Sequence, residues 1–208
     1  MRTEKINIYK FEELSDTAKE RAREEFKKYY PDYDWYEDIY SDFIKKVKKY
    51  GFDLEPKDIM WSGFSCQGDG ASFTCERLHK KVFLKYANIN VKHGLEKVFL
   101  DGTTMEIERN GSRYCHKNSV TVAVCYYDIG CDSSSAQYEA QKRNRIDSYL
   151  NEVSFLVEKK LIELKDNLCE ELYRKLEKRY YSLLSDENID EEITCNEYEF
   201  YEDGRQYL

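Results

Sequence analysis

Proline is scarce in this chain, Pro31 and Pro56 being the only two, and no Gly/Ser linker is present. With no linker in view, the 208 residues read as a single domain over 1–208. Positive charge is also in deficit, 33 basic against 41 acidic residues for a net charge of -8. Proteins that grip nucleic-acid backbones or anionic membranes draw affinity from surplus Lys and Arg, so direct sequence-specific nucleic-acid binding and membrane binding are disfavoured. No apolar run approaches the roughly 18–20 residues of a membrane span, and the N-terminus lacks a secretory apolar segment. The seven cysteines are an odd number without a CxxC pair or His/Cys metal spacing, which points to reduced thiols in a cytoplasm and to no metal site or cofactor. Cys125 and Cys169 are expected in the core.

What is abundant is aromatic area, 15% of residues with nineteen tyrosines, in a chain that is 41% hydrophobic. That is too rich for disorder, and tyrosine suits both core edges and protein interfaces.

Alternation from Glu4 to Lys10 predicts a strand with Ile6 and Ile8 on its buried face. Ser15 is a good N-cap for a helix over about 16–30 bearing Ala18, Ala22 and Phe26. Pro31 breaks it. Trp35, Ile39, Phe43, Val47 and Tyr50 then form a helical stripe ending at Gly51. Leu78, Val82 and Tyr86 line a short helix, while the fold of 77–118 is otherwise open; Val98 to Ile107 and Ser119 to Tyr127 read as strands. The Ser133 to Ser135 patch leads into a long helix, about 140–184, with Ile146, Leu150, Val153, Val157, Leu161, Leu164, Leu168, Leu172, Leu176 and Tyr180 on one stripe. Such a helix either breaks or projects towards a partner, and a homodimer through the stripe is one expectation. The fold expected is α+β, an antiparallel sheet of about five strands packed against N-terminal helices and the long C-terminal helix.

Two regions carry the functional candidates. Ile59 to Phe73 reads as a hairpin whose loop offers Gln67, Asp69 and Ser72, flanked by Trp61 and Phe64; Gly68 and Gly70 imply positive φ or close approach. Backbone N–H groups around Gly68-Asp69-Gly70 could converge on a phosphate, so a nucleotide is a possible ligand, although neither a P-loop nor a dinucleotide fingerprint is present. Asp69 alone lacks the companion carboxylates of a calcium loop and more often stabilises its own turn. Cys66 with His116 as base would make a small hydrolase, but spacing alone assigns no catalytic residue. The second region is the acidic segment 185–208: Ser185 caps a short helix, and from Asp186 to Asp203 there are nine acidic residues and no basic one. Glu197, Tyr198, Glu199, Tyr201 and Glu202 would form a partner surface, with a solvated face as the alternative.

Phe11 to Asp16 with Ala18 and Lys19, the Ser62-Gly63-Phe64 and Gln67 to Phe73 hairpin, and the late runs Leu176 to Lys178, Ser185 to Glu187 and Asn196 to Phe200 together resemble a family of uncharacterised phage and prophage proteins. Some members carry the label antitoxin of a toxin–antitoxin stability system. The likeness covers about half the chain and leaves out residues 77–135; it brings no catalytic residues, and Ser65 and Cys66 stand where relatives often show Trp and Ser. It implies a phage context in the cytoplasm of a bacterial host cell. There the expected role is an accessory protein that binds and inhibits a host defence effector, a CRISPR nuclease or a toxin. A binding module for a nucleotide immune signal and the Cys66 hydrolase are the alternatives.

Overall fold

The computed structural model describes residues 5–127 and 137–207. Cys131 and the Ser133 to Ser135 patch lie outside them. The fold is α+β with a long C-terminal helix, and the backbone divides into two compact units, Met1–Glu37 with Leu176–Leu208 and Asp38–Lys175.

The first unit joins the two ends of the sequence. Strand β1 (Tyr9–Lys10) pairs antiparallel with β6 (Glu199–Phe200). Helix α1 (Asp16–Lys27) starts where the Ser15 hydroxyl accepts the Ala18 N–H at 3.3 Å. The matching cap opens α6 (Asp186–Cys195), with Ser185 accepting from Asn188 at 3.4 Å. Ala18 and Ala22 are small enough for α6 to approach closely, and with Phe11, Leu14, Ile189, Ile193 and Phe200 they form one buried cluster. Ile6 and Ile8, expected on a buried strand face, are instead exposed. Only two residues of that segment find a ladder partner, because β6 is itself two residues long.

In the second unit, helix α2 (Glu37–Val47, all but its first residue here) buries Tyr40, Phe43 and Val47 and is closed by Gly51 at φ +99°, where a side chain would be strained. Strands β2 (Ile59–Ser62) and β3 (Gly70–Phe73) form the expected hairpin, Ile59 opposite Phe73 and Ser62 opposite Gly70. Phe73 is fully buried with Phe43 and Phe52, ring centroids 5.5 Å from each. Helices α3 (Lys80–Tyr86) and α4 (Glu96–Gly102) follow, then β4 (Thr103–Arg109) and β5 (Val120–Tyr126), paired along all seven positions. Val98 to Leu100 are therefore helical, not strand. Lys80 secures the end of that helix, its ammonium donating to the Leu100 carbonyl at 2.6 Å and to the Thr103 carbonyl. In α3 the buried residues are Phe83 and Leu84, while Val82 and Tyr86 face out.

No five-stranded sheet forms among the described residues. The strands make three separate two-stranded ladders, β1 with β6, β2 with β3 and β4 with β5. Among the described residues, ladder pairing between the two hairpins of the second unit is limited to one isolated bridge, Cys75 to Ile107, too short to propagate a sheet. Cys169 is buried as expected and Cys125 is exposed.

Helix α5 (Gln137–Leu183) runs unbroken for 47 residues, about 70 Å at 1.5 Å per residue. No Gly or Pro interrupts it. Leu150, Val153, Val157, Leu161, Leu164, Leu168, Leu172 and Leu176 are all buried. The stripe that suggested a homodimer is thus already covered within the chain, and a second copy would have to displace its own core to reach it.

Candidate functional site

The hairpin tip of the second unit is built on packing rather than on unusual backbone. Neither Gly68 nor Gly70 has positive φ; a Cβ on Gly68 would stand 2.6 Å from the Tyr114 ring, and one on Gly70 2.6 Å from the His116 Cα. The segment carrying Tyr114 and His116 is pinned there by buried Lys165 of α5, whose ammonium donates to the Lys117 carbonyl at 2.9 Å. The glycines answer to close approach.

Asp69 turns inward on its own loop. Its carboxylate accepts the N–H groups of Ser65 at 2.8 Å and Cys66 at 2.7 Å. These backbone hydrogen bonds, the Cys66 one foremost, hold its pKa below the ordinary carboxylate value. The N–H groups that converge at this tip are those of Ser65 and Cys66, not of Gly68 to Gly70, and they already hold an anion, the chain's own; the Asp69 N–H donates to the Cys66 carbonyl at 3.0 Å. Ser72 is fully buried, its hydroxyl 3.3 Å from that of Ser119. Trp61 and Phe64 do come together, stacked at 5.2 Å, and Phe64 continues to Tyr173 at 5.5 Å. Gln67 and Cys66 are exposed at the tip. His116 uses Nδ1 to accept the Asn118 N–H at 3.1 Å and stacks on Tyr114, which is the work of a cap. Cys75 and Cys169 are inert thiols, burial pushing their pKa up to about 11 and about 12. Among the described residues no His, Cys, Asp and Glu group could hold a metal ion, and no helix is long and apolar enough to cross a membrane.

The acidic segment of the first unit is sorted into two sets. Asp186 pairs with Lys27 at 2.8 Å and Asp190 takes both nitrogens of the Arg23 fork at 2.6 Å, while Asp203 receives Arg21 at 3.1 Å and Arg205 at 2.9 Å. The hydrogen bond to Lys27 lowers the pKa of Asp186, that to the Arg205 backbone lowers Asp203, and the Asp190 hydrogen bond raises Arg23. Helix α1 supplies three of these four cations, so part of the acidic field neutralises a basic helix of the same unit. Glu197, Glu199 and Glu202 are exposed and join none of the ion pairs among the described residues. Tyr198 is drawn inward against Phe26 at 5.9 Å, and Tyr201 packs edge-on to Tyr207 with Arg205 over its ring at 5.4 Å.

Sequence reasoning passed over a cavity of about 450 Å³ in the same unit, between α1, the turn after it and the 198–206 segment. Its aromatic walls include Phe26, Tyr29, Tyr30 and Tyr198, and the charged groups on it are Arg21, Glu25, Asp32, Glu192 and Arg205. The run Tyr29-Tyr30-Pro31-Asp32-Tyr33 was the signal: three tyrosines and an acid directly behind a helix end.

Fold and surface together define a small α+β protein with two acid-and-tyrosine features in one unit and a packed hairpin in the other. The chain belongs to the family described as a domain of unknown function, DUF8835, whose model matches residues 35–186. Neither the curated proteins nor the solved structures contain a match to it.

Proposed function

We propose that this chain is a phage-encoded accessory protein, acting in the cytoplasm of a bacterial host cell. It binds and inhibits a host defence effector, a CRISPR nuclease or a toxin, by occupying that protein's basic surface. The observation that carries the reading is the division of the acidic segment. Asp186, Asp190 and Asp203 are consumed by Lys27, Arg23, Arg21 and Arg205, whereas Glu197, Glu199 and Glu202 stand exposed beside Tyr198 and Tyr201. Uncompensated carboxylates next to tyrosines suit a basic protein groove, where complementary charge speeds encounter and tyrosine supplies contact area. A nucleotide signal at the hairpin is the weaker reading, since its phosphate would have to displace Asp69 from the Ser65 and Cys66 N–H groups.

The test is the triple reversal E197K/E199K/E202K, assayed for protection of phage in hosts carrying individual defence systems. Loss of protection, with an unchanged thermal unfolding curve, supports this surface; full protection by the triple variant removes it.

A further inference from the structure

The cavity beside α1 has a definite chemistry. Its aromatic wall is continuous, with Phe26 and Tyr30 5.0 Å apart and Phe26 and Tyr198 5.9 Å apart. Tyr29 stands at the mouth 80% exposed, its ring open to an incoming group. Of the charged groups on the lining, Arg21 and Arg205 share Asp203, and Glu25 is held by Lys28 at 2.6 Å. Asp32 and Glu192 enter none of the ion pairs among the described residues, although Glu192 accepts the Asn196 amide at 3.0 Å; two arginines on one aspartate leave one positive charge against these two carboxylates, so the balance on the lining is a single negative charge. Ring faces attract cations, and carboxylates beside them add a hydrogen-bonded ion pair. The volume of 450 Å³ lies within the ~300–1,000 Å³ of ligand clefts, ample for one long side chain.

From this geometry we infer that the cavity seats a cationic side chain, an arginine or lysine, presented by a basic partner protein. The inference deepens the reading above and rests on it for the partner, though not for the chemistry. An inorganic anion at the same place would face Asp32 and Glu192.

The experiment titrates the isotope-labelled full chain with N-acetyl-arginine methylamide and, separately, with the citrulline analogue, which has nearly the same shape and no charge. At about 150 mM salt, where exposed charges are largely screened, arginine should shift the amides around Tyr29, Tyr30, Asp32, Glu192 and Tyr198, and citrulline should bind at least about tenfold more weakly. Tyr29→Ala, at an exposed position, and the pair Asp32→Asn with Glu192→Gln should each weaken arginine binding about five- to tenfold without changing thermal unfolding. Equal binding of citrulline, or arginine shifts spread along Glu187 to Glu202 and insensitive to these variants, would overturn the inference. So would inorganic phosphate shifting the Arg21 and Arg205 amides more strongly than arginine shifts its own set. The two readings fail separately. Arginine binding that persists while E197K/E199K/E202K still protects phage removes the surface and keeps the cavity; the converse removes the cavity alone.

Discussion

At the scale of the residue, the hairpin tip turns on what each side chain excludes. Gly70 has its neighbour at van der Waals limits, so Gly70→Ala should lower stability by about 1–3 kcal/mol through overpacking against His116. An unchanged urea midpoint would show that the 112–119 segment yields without cost. Asp69 makes a pH-dependent contribution. Its pKa is depressed in the folded chain, so its carboxylate stabilises the fold fully above the ordinary value of 3.8, and that contribution is lost as pH falls through the lower folded value. Asp69→Ala should therefore be less stable than the parent at neutral pH, with the gap closing in acid. A gap of constant size across the pH series would mean that the charged carboxylate is not the anchor. Both glycines were visible in the sequence as sites of either positive φ or close approach. Choosing between the two needs Tyr114 and His116, which sit more than forty positions away and arrive only with the tertiary fold.

Among the elements, those with local signals were legible: the Ser15 and Ser185 caps, the Gly51 stop, the β2–β3 hairpin and the periodicity of α5. Val98 to Leu100 misled because a short apolar run looks the same in a strand and in a buried helix. The five-stranded sheet failed for a different reason. Pairing is non-local, and β1 found β6 from the far end of the chain instead of the hairpins. For α5 the pattern correctly marked an apolar stripe but could not say that the stripe's partner was the chain itself. Leu161→Ala on that stripe should cost about 2–5 kcal/mol of stability, as deletion of a fully buried leucine does. Phe155→Ser on the outward face, where the residue is exposed, should stay within about 0.5 kcal/mol of the parent. If Leu161→Ala instead dissociated a dimer without altering unfolding, the stripe would be an interface after all. The acidic surface was legible as a charge run, but its division was not, because Arg21, Arg23 and Lys27 meet their acids across more than 150 positions of sequence.

For the whole molecule, one unit is contiguous in sequence and the other is made from both ends. Leu14 precedes Ile189, its companion in the buried cluster, by 175 positions. A ribosome adding about 5–20 residues per second therefore needs roughly 9–35 s to supply the second after the first. During that interval Phe11, Leu14 and Phe26 belong to a nascent chain that has no apolar surface of its own unit to cover them. The second unit, by contrast, is contiguous in sequence and complete as soon as Lys175 clears the exit tunnel. A nascent chain arrested at that length should protect 38–127 and 137–175 from protease and yield at 5–37; uniform cleavage would show that the contiguous unit waits as well. Synthesis thus imposes an order on this fold, inner segment before outer, and leaves the apolar N-terminal residues without their packing counterparts until these are translated.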